Sequence, residues 1–352
     1  MAYLSALAGS LTPYQAGEQP KDRKYIKLNT NENPYPPSPK VLEAMESASK
    51  NLRLYPDMDC TALCQAAAKL NGIAPGQVFA GNGSDEVLAF AFAAFFAGKR
   101  LLAPDITYSF YPVYAKLFGA KYETVPLLDD YSVDIEGLLQ DAPVVIANPN
   151  APTGMMLPVK ELAKMAAYLK EKEEVLLIDE AYEAFAYENA VPLLAQFENV
   201  LIVRTMSKSH SLAGLRVGYA MGHPKLIEGL NRIKDCFNSY SLDRLAQAAA
   251  EAALEDKAYY MQTNHKVVAS RDWTRQALLD AGIEVLESQT NFLFVKAHET
   301  NAQVVQAQLK ERGILVRHFN KPRIAPYLRI SIGTQEEMET VVNALIQIIH
   351  RN

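Results

Sequence analysis

Residues 144–178 read VVIANPNAPTGMMLPVKELAKMAAYLKEKEEVLLI, and this stretch decides the fold. Val144–Ala147 and Val175–Ile178 are short and wholly apolar, as expected of strands covered on both faces. Turn formers follow the first run, and a helix is expected to begin at Pro158. Leu162, Met165, Ala166 and Leu169 then recur at the spacing of one helical face. Strand, helix and strand in that order are the unit of a parallel sheet.

The same alternation extends in both directions. Gln77–Ala80, Arg100–Ala103, Tyr122–Val125, Val200–Arg204 and Val217–Met221 complete a set of seven expected strands separated by helical segments. Upstream, Ser38-Pro39 opens a helix with Val41, Leu42 and Met45 on its apolar face. Residues 1–37 read as an irregular arm, rich in turn formers from Asn29 to Pro37. The apolar stretch Val87 to Ala97 is shorter than the roughly 20 residues of a membrane span, so it reads as a buried helix. After residue 240 the texture changes to an Ala-rich helix (Leu245 to Leu254), further helix through Leu279, and alternating strands. Leu328, Ile330 and Ile332 face one way there, Arg329 and Ser331 the other. A last helix carries Met338, Val341, Val342, Leu345, Ile346 and Ile349 on one stripe. The expected organisation is a large α/β domain over 38–240, with a mixed, mostly parallel seven-stranded sheet. A smaller α+β domain is built from 1–37 and 241–352.

Composition narrows the function classes. With 352 residues, 49% hydrophobic and 21% charged, the chain is a globular protein large enough for about two domains. A net charge of −5 argues against a nucleic-acid partner. No span, repeat or secretion-signal pattern appears, so no membrane partner is expected. Three cysteines are too few for a disulfide framework, which favours a reducing, cytoplasmic setting. The six histidines show no metal-ligand spacing, so no metal is expected.

Four local signals fall at the ends of expected strands, where open α/β sheets bind ligands. Gly81-Asn82-Gly83-Ser84-Asp85-Glu86 enters a helix and suits either a phosphate or a simple capped turn. It lacks the third glycine of a dinucleotide fingerprint, which speaks against a dehydrogenase. Asp179 follows four buried apolar residues; it either caps the next element or holds a cationic ring nitrogen, with Tyr182 nearby as a donor. Lys208, in Thr205-Met206-Ser207-Lys208, is either a surface charge or an amine nucleophile that forms a Schiff base, and Arg216 follows eight residues later as a candidate phosphate ligand. Asn148-Pro149-Asn150-Ala151-Pro152-Thr153-Gly154 is the fourth, and turn chemistry alone accounts for its prolines and glycine. A Schiff-base lysine with an acidic ring-nitrogen partner is the pattern of pyridoxal-phosphate enzymes.

With these motifs the chain resembles the fold-type I pyridoxal-phosphate aminotransferases, and within them the histidinol-phosphate aminotransferases. The resemblance runs from Leu11-Thr12-Pro13-Tyr14-Gln15 and Leu28-Asn29-Thr30-Asn31-Glu32-Asn33-Pro34 through Tyr55-Pro56, Gly83-Ser84-Asp85-Glu86 and Pro104-Asp105-Ile106-Thr107-Tyr108. It continues through Asp179-Glu180-Ala181-Tyr182, Thr205-Met206-Ser207-Lys208 and Gly214-Leu215-Arg216 to Thr290-Asn291-Phe292 and Leu328-Arg329-Ile330, nearly the whole chain.

The resemblance implies transamination of histidinol phosphate with 2-oxoglutarate, in histidine biosynthesis, on pyridoxal 5'-phosphate bound to Lys208 as a Schiff base. It implies that Asp179 pairs with the ring nitrogen, Tyr182 hydrogen-bonds the ring oxygen, Asn150 is among the cofactor-binding residues, and Tyr108 stacks on the ring. Ser84, Asp85, Thr205, Ser207 and Arg216 would take the phosphate, with Tyr55 reaching across a homodimer. Tyr14, Arg317 and Arg329 would bind the substrate anions, glutamate carboxylate or histidinol phosphate in turn. One departure stands out: relatives commonly read Asn-Asn-Pro-Thr-Gly, and here the second Asn is Ala151, which has no donor for the ring oxygen. The same motifs also fit an aromatic amino-acid aminotransferase, a phospho-amino-acid decarboxylase, or a non-catalytic binder on this scaffold.

Overall fold

The structure is a computed structural model and describes residues 3–13, 17–297 and 301–349. Its strands, in chain order, are β1 (Ile26–Lys27), β2 (Val78–Asn82), β3 (Arg100–Pro104), β4 (Lys121–Val125), β5 (Val144–Ala147) and β6 (Leu176–Asp179). Then come β7 (Val200–Thr205), β8 (Val217–Gly222), β9 (Phe292–Lys296), β10 (Ile314–Leu315), β11 (Arg317–His318) and β12 (Tyr327–Ser331).

All seven strands expected of the large domain form one sheet, in the order β2-β8-β7-β6-β5-β3-β4. Six run parallel, and β8 runs against both of its neighbours. The sheet is covered on both faces. Leu176 and Ile178 pack with Val144, Ile146 and Leu162 in one apolar cluster, while Leu177 packs with Val145, Leu201 and Phe92 in another. That two-sided burial is why the strands read as unbroken apolar runs. The helix Val159–Glu171 buries Leu162, Met165, Ala166 and Leu169, the stripe read from its spacing. The segment Val87 to Ala97 divides into an α-helix, Gly83–Ala91, and one π-helical turn, Phe92–Phe96.

The smaller sheet is antiparallel, β11-β12-β9, with Leu328, Ile330 and Ile332 in its core. The last helix, Gln335–Ile349, buries Met338, Val341, Val342 and Leu345; its final buried residue is Ile348 rather than Ile349. The arm departs from its irregular expectation: it carries a short helix, Ala6–Ser10, and β1, which pairs in parallel with β10. Beyond residue 240 the packing is divided. The helix Arg244–Glu255 puts Ala246, Ala249 and Ala253 into the core that holds Val41 and Leu63. The helix Lys257–Asp280 puts Val267 and Leu278 into the small-domain core.

This topology places the chemistry. The parallel strands all end on one side of the sheet, and the reversed β8 begins there. Asp179 ends β6, Thr205 ends β7, and Arg216 precedes β8, so residues far apart in sequence meet at one edge.

Candidate active site

At that edge lies a cavity of about 290 Å³ between the two sheets. One end is an anion cradle. Ser84 and Asp85 sit in the first turn of Gly83–Ala91, and no side chain caps that helix, so its leading N–H groups are free for a ligand. Gly83 is in the left-handed region (φ +76°), and a Cβ there would lie 2.6 Å from Arg216 Nη2. Arg216 is itself left-handed (φ +54°), which turns its guanidinium back to Asp85, 2.7 Å away, and to within 3.5 Å of Ser207 Oγ. Thr205 Oγ1 accepts the Ser207 N–H at 3.1 Å, capping the short turn that presents Lys208.

The middle of the cavity holds the reactive groups. Lys208 Nζ donates to Thr30 O at 3.0 Å. Burial, reinforced by Arg329, pulls its pKa down to about 8, so an appreciable fraction is the neutral amine near neutral pH. Asp179 is buried, and burial pushes its carboxyl up to about 6 against the hydrogen bonds it accepts from Tyr111 Oη (2.8 Å) and Ala181 N–H (3.2 Å). A buried carboxylate of this kind gains most from a cationic partner. Tyr108 donates to Asp85 at 2.9 Å and borders the cavity, as does Tyr182, whose ring packs edge-on to Phe292.

The far end is cationic. Arg317 on β11 stands opposite Arg329 on β12 in the register of the small sheet, and both line the cavity. Arg329 lies over the rings of Phe292 and Phe319 at 5.4 and 5.5 Å and donates to Asn29 O at 3.0 Å. Two of the expected residues, Asn150 and Tyr55, do not line this chain's cavity, and Tyr55 was expected to serve the site of a second copy. Asn150 is buried away from the cavity, its amide spent on Ile106 O (2.9 Å), Thr153 Oγ1 (3.0 Å) and Thr107 Oγ1 (2.9 Å). Tyr55 is 78% exposed on the outer surface, stacked on Tyr240. Tyr14 lies outside the described residues. Ala151 does line the cavity, presenting a methyl group.

Sequence reasoning missed what the arm contributes. Thr30, Asn31 and Glu32 all line the cavity. Burial works against the Glu32 charge, but hydrogen bonds from Lys27 and Thr30 outweigh it, keeping the carboxyl below its ordinary range and negative toward Lys208. The run Asn29–Asn33 has no periodicity, so its turn-forming composition and its place in the family motif were visible, but not which of its side chains reach the cavity.

The sequence model of the family "Aminotransferase class I and II" matches residues 23–345. A histidinol-phosphate aminotransferase of a Marinomonas species is 53% identical over 344 residues, 96% of each chain. Histidinol-phosphate aminotransferase 1 of Oceanobacillus iheyensis is 48% identical over 349 residues, covering 99% of this chain and 98% of that one. The chain belongs to the histidinol-phosphate aminotransferases, within the class I and II aminotransferase family. A solved histidinol-phosphate aminotransferase from Sinorhizobium meliloti, in complex with pyridoxal 5'-phosphate, superposes with a TM-score of 0.89. It is 29% identical, and the match covers 100% of this chain and 98% of that one.

The fold is that of fold-type I pyridoxal-phosphate aminotransferases, and transamination with a pyridoxal-phosphate cofactor goes with that membership. This cavity fits the cofactor on its own terms. The uncapped helix start with Arg216 suits a phosphate, Asp179 needs a cationic partner, and Lys208 offers a partly neutral amine between them.

Proposed function

We propose that this chain transfers the amino group of histidinol phosphate to 2-oxoglutarate, giving imidazole acetol phosphate and glutamate. The observation that carries the reading is one cavity holding a desolvated lysine, a buried carboxylate and two register-paired arginines. Pyridoxal phosphate, when bound, supplies a protonated ring that withdraws electrons from the carbon bearing the amino group.

The residues then divide the work. Ser84, Asp85, Thr205, Ser207 and Arg216 would hold the cofactor phosphate through backbone N–H groups, hydroxyls and a guanidinium. Asp179 would keep the ring nitrogen protonated, and Tyr111 holds that carboxylate in place. Lys208 Nζ, a desolvated amine, would hold the cofactor and would serve as the general base at the substrate carbon that bears the amino group. Arg329 and Arg317 take the substrate phosphate in one half-reaction and a carboxylate of 2-oxoglutarate in the other, since both anions suit a guanidinium fork. Tyr108 covers the ring face.

A homodimer and cytoplasmic residence belong to the same reading. Tyr55, Leu52 and Phe237 are 78%, 61% and 78% exposed in the single chain, an apolar surface suited to a second copy. Tyr55 from that copy would complete the phosphate site. Cys60, Cys64 and Cys236 are free thiols, which suits a reducing compartment. Among the described residues, no helix is long and apolar enough to cross a membrane. The same reading keeps residues 38–240 as the large domain, to which the core packing of Arg244–Glu255 adds that helix, and takes residues 1–37 with the remainder of 241–352 as the small one.

Steady-state rates with histidinol phosphate, phenylalanine and threonine phosphate test the assignment. Histidinol phosphate is expected to give by far the highest kcat/KM. A preference for phenylalanine, or carbon dioxide release from threonine phosphate, would overturn it.

A further inference from the structure

Tyr182 approaches the cavity with a hydroxyl that is held from behind. Asn31 Nδ2 donates to Tyr182 Oη at 2.9 Å. The Asn31 amide is oriented in turn by Ser331. The Asn31 backbone N–H donates to Ser331 Oγ at 2.8 Å, and Ser331 Oγ donates to Asn31 Oδ1 at 2.9 Å. Because that serine accepts from the backbone and still has its proton to give, Oδ1 faces Ser331 and the NH₂ faces Tyr182. Asn291 Nδ2 fixes the Asn31 carbonyl at 3.0 Å, and Asn31 and Ser331 are both buried. Asn31 also has φ +56°, a region that asparagine enters more readily than most side chains. Position 31 therefore has two requirements, a left-handed backbone and an N–H donor. Glycine meets the first alone. Aspartate tolerates the backbone but reverses the polarity of the side chain.

We propose, resting on the cofactor placement above, that Asn31 is a positioning residue that sets Tyr182 as the donor to the cofactor's ring oxygen, offsetting the amide missing at Ala151. Since Tyr182 Oη accepts from Asn31, its hydrogen points away from Asn31. The chain from Ser331 through Asn31 to Tyr182 runs in one direction, so each bond polarises the next. A hydrogen bond to the ring oxygen favours its anionic state, and so lowers the pKa of the proton that oxygen shares with Lys208 Nζ. Ser331 lies two residues from Arg329 on β12, which ties this setting to the strand that carries the substrate arginine.

The test is the pH titration of the visible absorption band of the cofactor-loaded protein. It is run on wild type, Asn31→Gly, Asn31→Asp, Tyr182→Phe, and Tyr182→Phe combined with Asn31→Gly. Asn31→Gly is expected to raise the pKa by about one unit, a tenfold change in proton affinity. Asn31→Asp should raise it at least as far, because its carboxylate accepts the Tyr182 proton and turns it from the ring. In the Tyr182→Phe background, Asn31→Gly should add nothing. Thermal melts of the loaded variants confirm that each is folded, and Asn31→Asp carries the test if the glycine variant is not. A wild-type titration in both Asn31 variants overturns the inference, as does a shift of equal size in the Tyr182→Phe background. A wild type that takes up no pyridoxal phosphate overturns the cofactor placement itself, and the inference with it.

Discussion

Adding one methyl group at Gly218 is expected to disable the anion cradle by displacing the helix start that presents its N–H groups. Gly218 lies on β8, beneath the start of the helix Gly83–Ala91. A Cβ there would sit 2.3 Å from Ser84 N and 2.5 Å from Gly83 C, where ordinary contact begins at 3.4 Å. Both clashing atoms are backbone, so no side chain can swing aside, and the helix start must move by about 1 Å. Overpacking of this kind costs about 1–3 kcal/mol. Losing a backbone N–H bond to the charged phosphate costs about 1.5–3 kcal/mol, roughly ten- to a hundredfold in affinity. Gly218→Ala is therefore expected to weaken pyridoxal-phosphate affinity by roughly ten- to a hundredfold, with a lowered Tm, and to leave KM for the substrate much less changed once cofactor is saturating. Gly214→Ala is the control: nothing lies within 4 Å of a Cβ there, so affinity and Tm should match wild type. Equilibrium binding followed by cofactor absorbance, with calorimetric melts, measures both. Wild-type affinity in Gly218→Ala would show that the helix start does not hold the phosphate as described.

Five further outcomes follow from the same geometry. Lys208→Ala should bind the cofactor without covalent attachment and lose transamination, read as loss of a borohydride-trapped adduct. Asp179 titrates near 6 in the free protein, and the ring nitrogen needs its ionised form, so cofactor affinity should fall as pH drops through 6. Tyr111→Phe removes a hydrogen bond that favours the Asp179 carboxylate, so that fall should move to higher pH; binding titrations over a pH series check both. Arg329→Gln removes a cation that lowers the Lys208 pKa, so the rate of cofactor capture by the apoprotein should rise at a higher pH than in wild type, where the midpoint lies near 8. Arg204→Met leaves Glu180 buried without its ion pair (2.8 Å) and should cost about 3–5 kcal/mol in urea unfolding.

The large sheet was legible because its strands are buried on both faces and so stand out as apolar runs between helical periodicities. Leu176 to Ile178 and Leu162 to Leu169 needed nothing beyond their own spacing. The reversal of β8 was not legible, since a strand buried on both faces looks the same in either direction. That reversal is what delivers Arg216 to the cavity. The pairing of Ile26-Lys27 with Ile314-Leu315 was missed because two residues carry no periodicity, and the partner lies nearly three hundred residues away. Asp179, Lys208 and Arg216 were visible as charges at strand ends. The placing of Asn150 was not visible: whether an amide faces a ligand or its own loop depends on partners such as Ile106 O and Thr107 Oγ1, which local spacing does not identify. Asn31 and Tyr111 were hidden for the same reason, because each acts through a side chain distant in sequence.

The central claim is that this cavity exchanges the amino group of histidinol phosphate. A single-turnover half-reaction tests it most directly: cofactor-loaded protein is mixed with histidinol phosphate, without any acceptor, while the cofactor spectrum is followed. Stoichiometric conversion of the aldehyde form of the cofactor to its amine form is expected, with reversal on adding 2-oxoglutarate and neither change in Lys208→Ala. An unchanged spectrum with histidinol phosphate, in wild type that converts readily with phenylalanine, would contradict it.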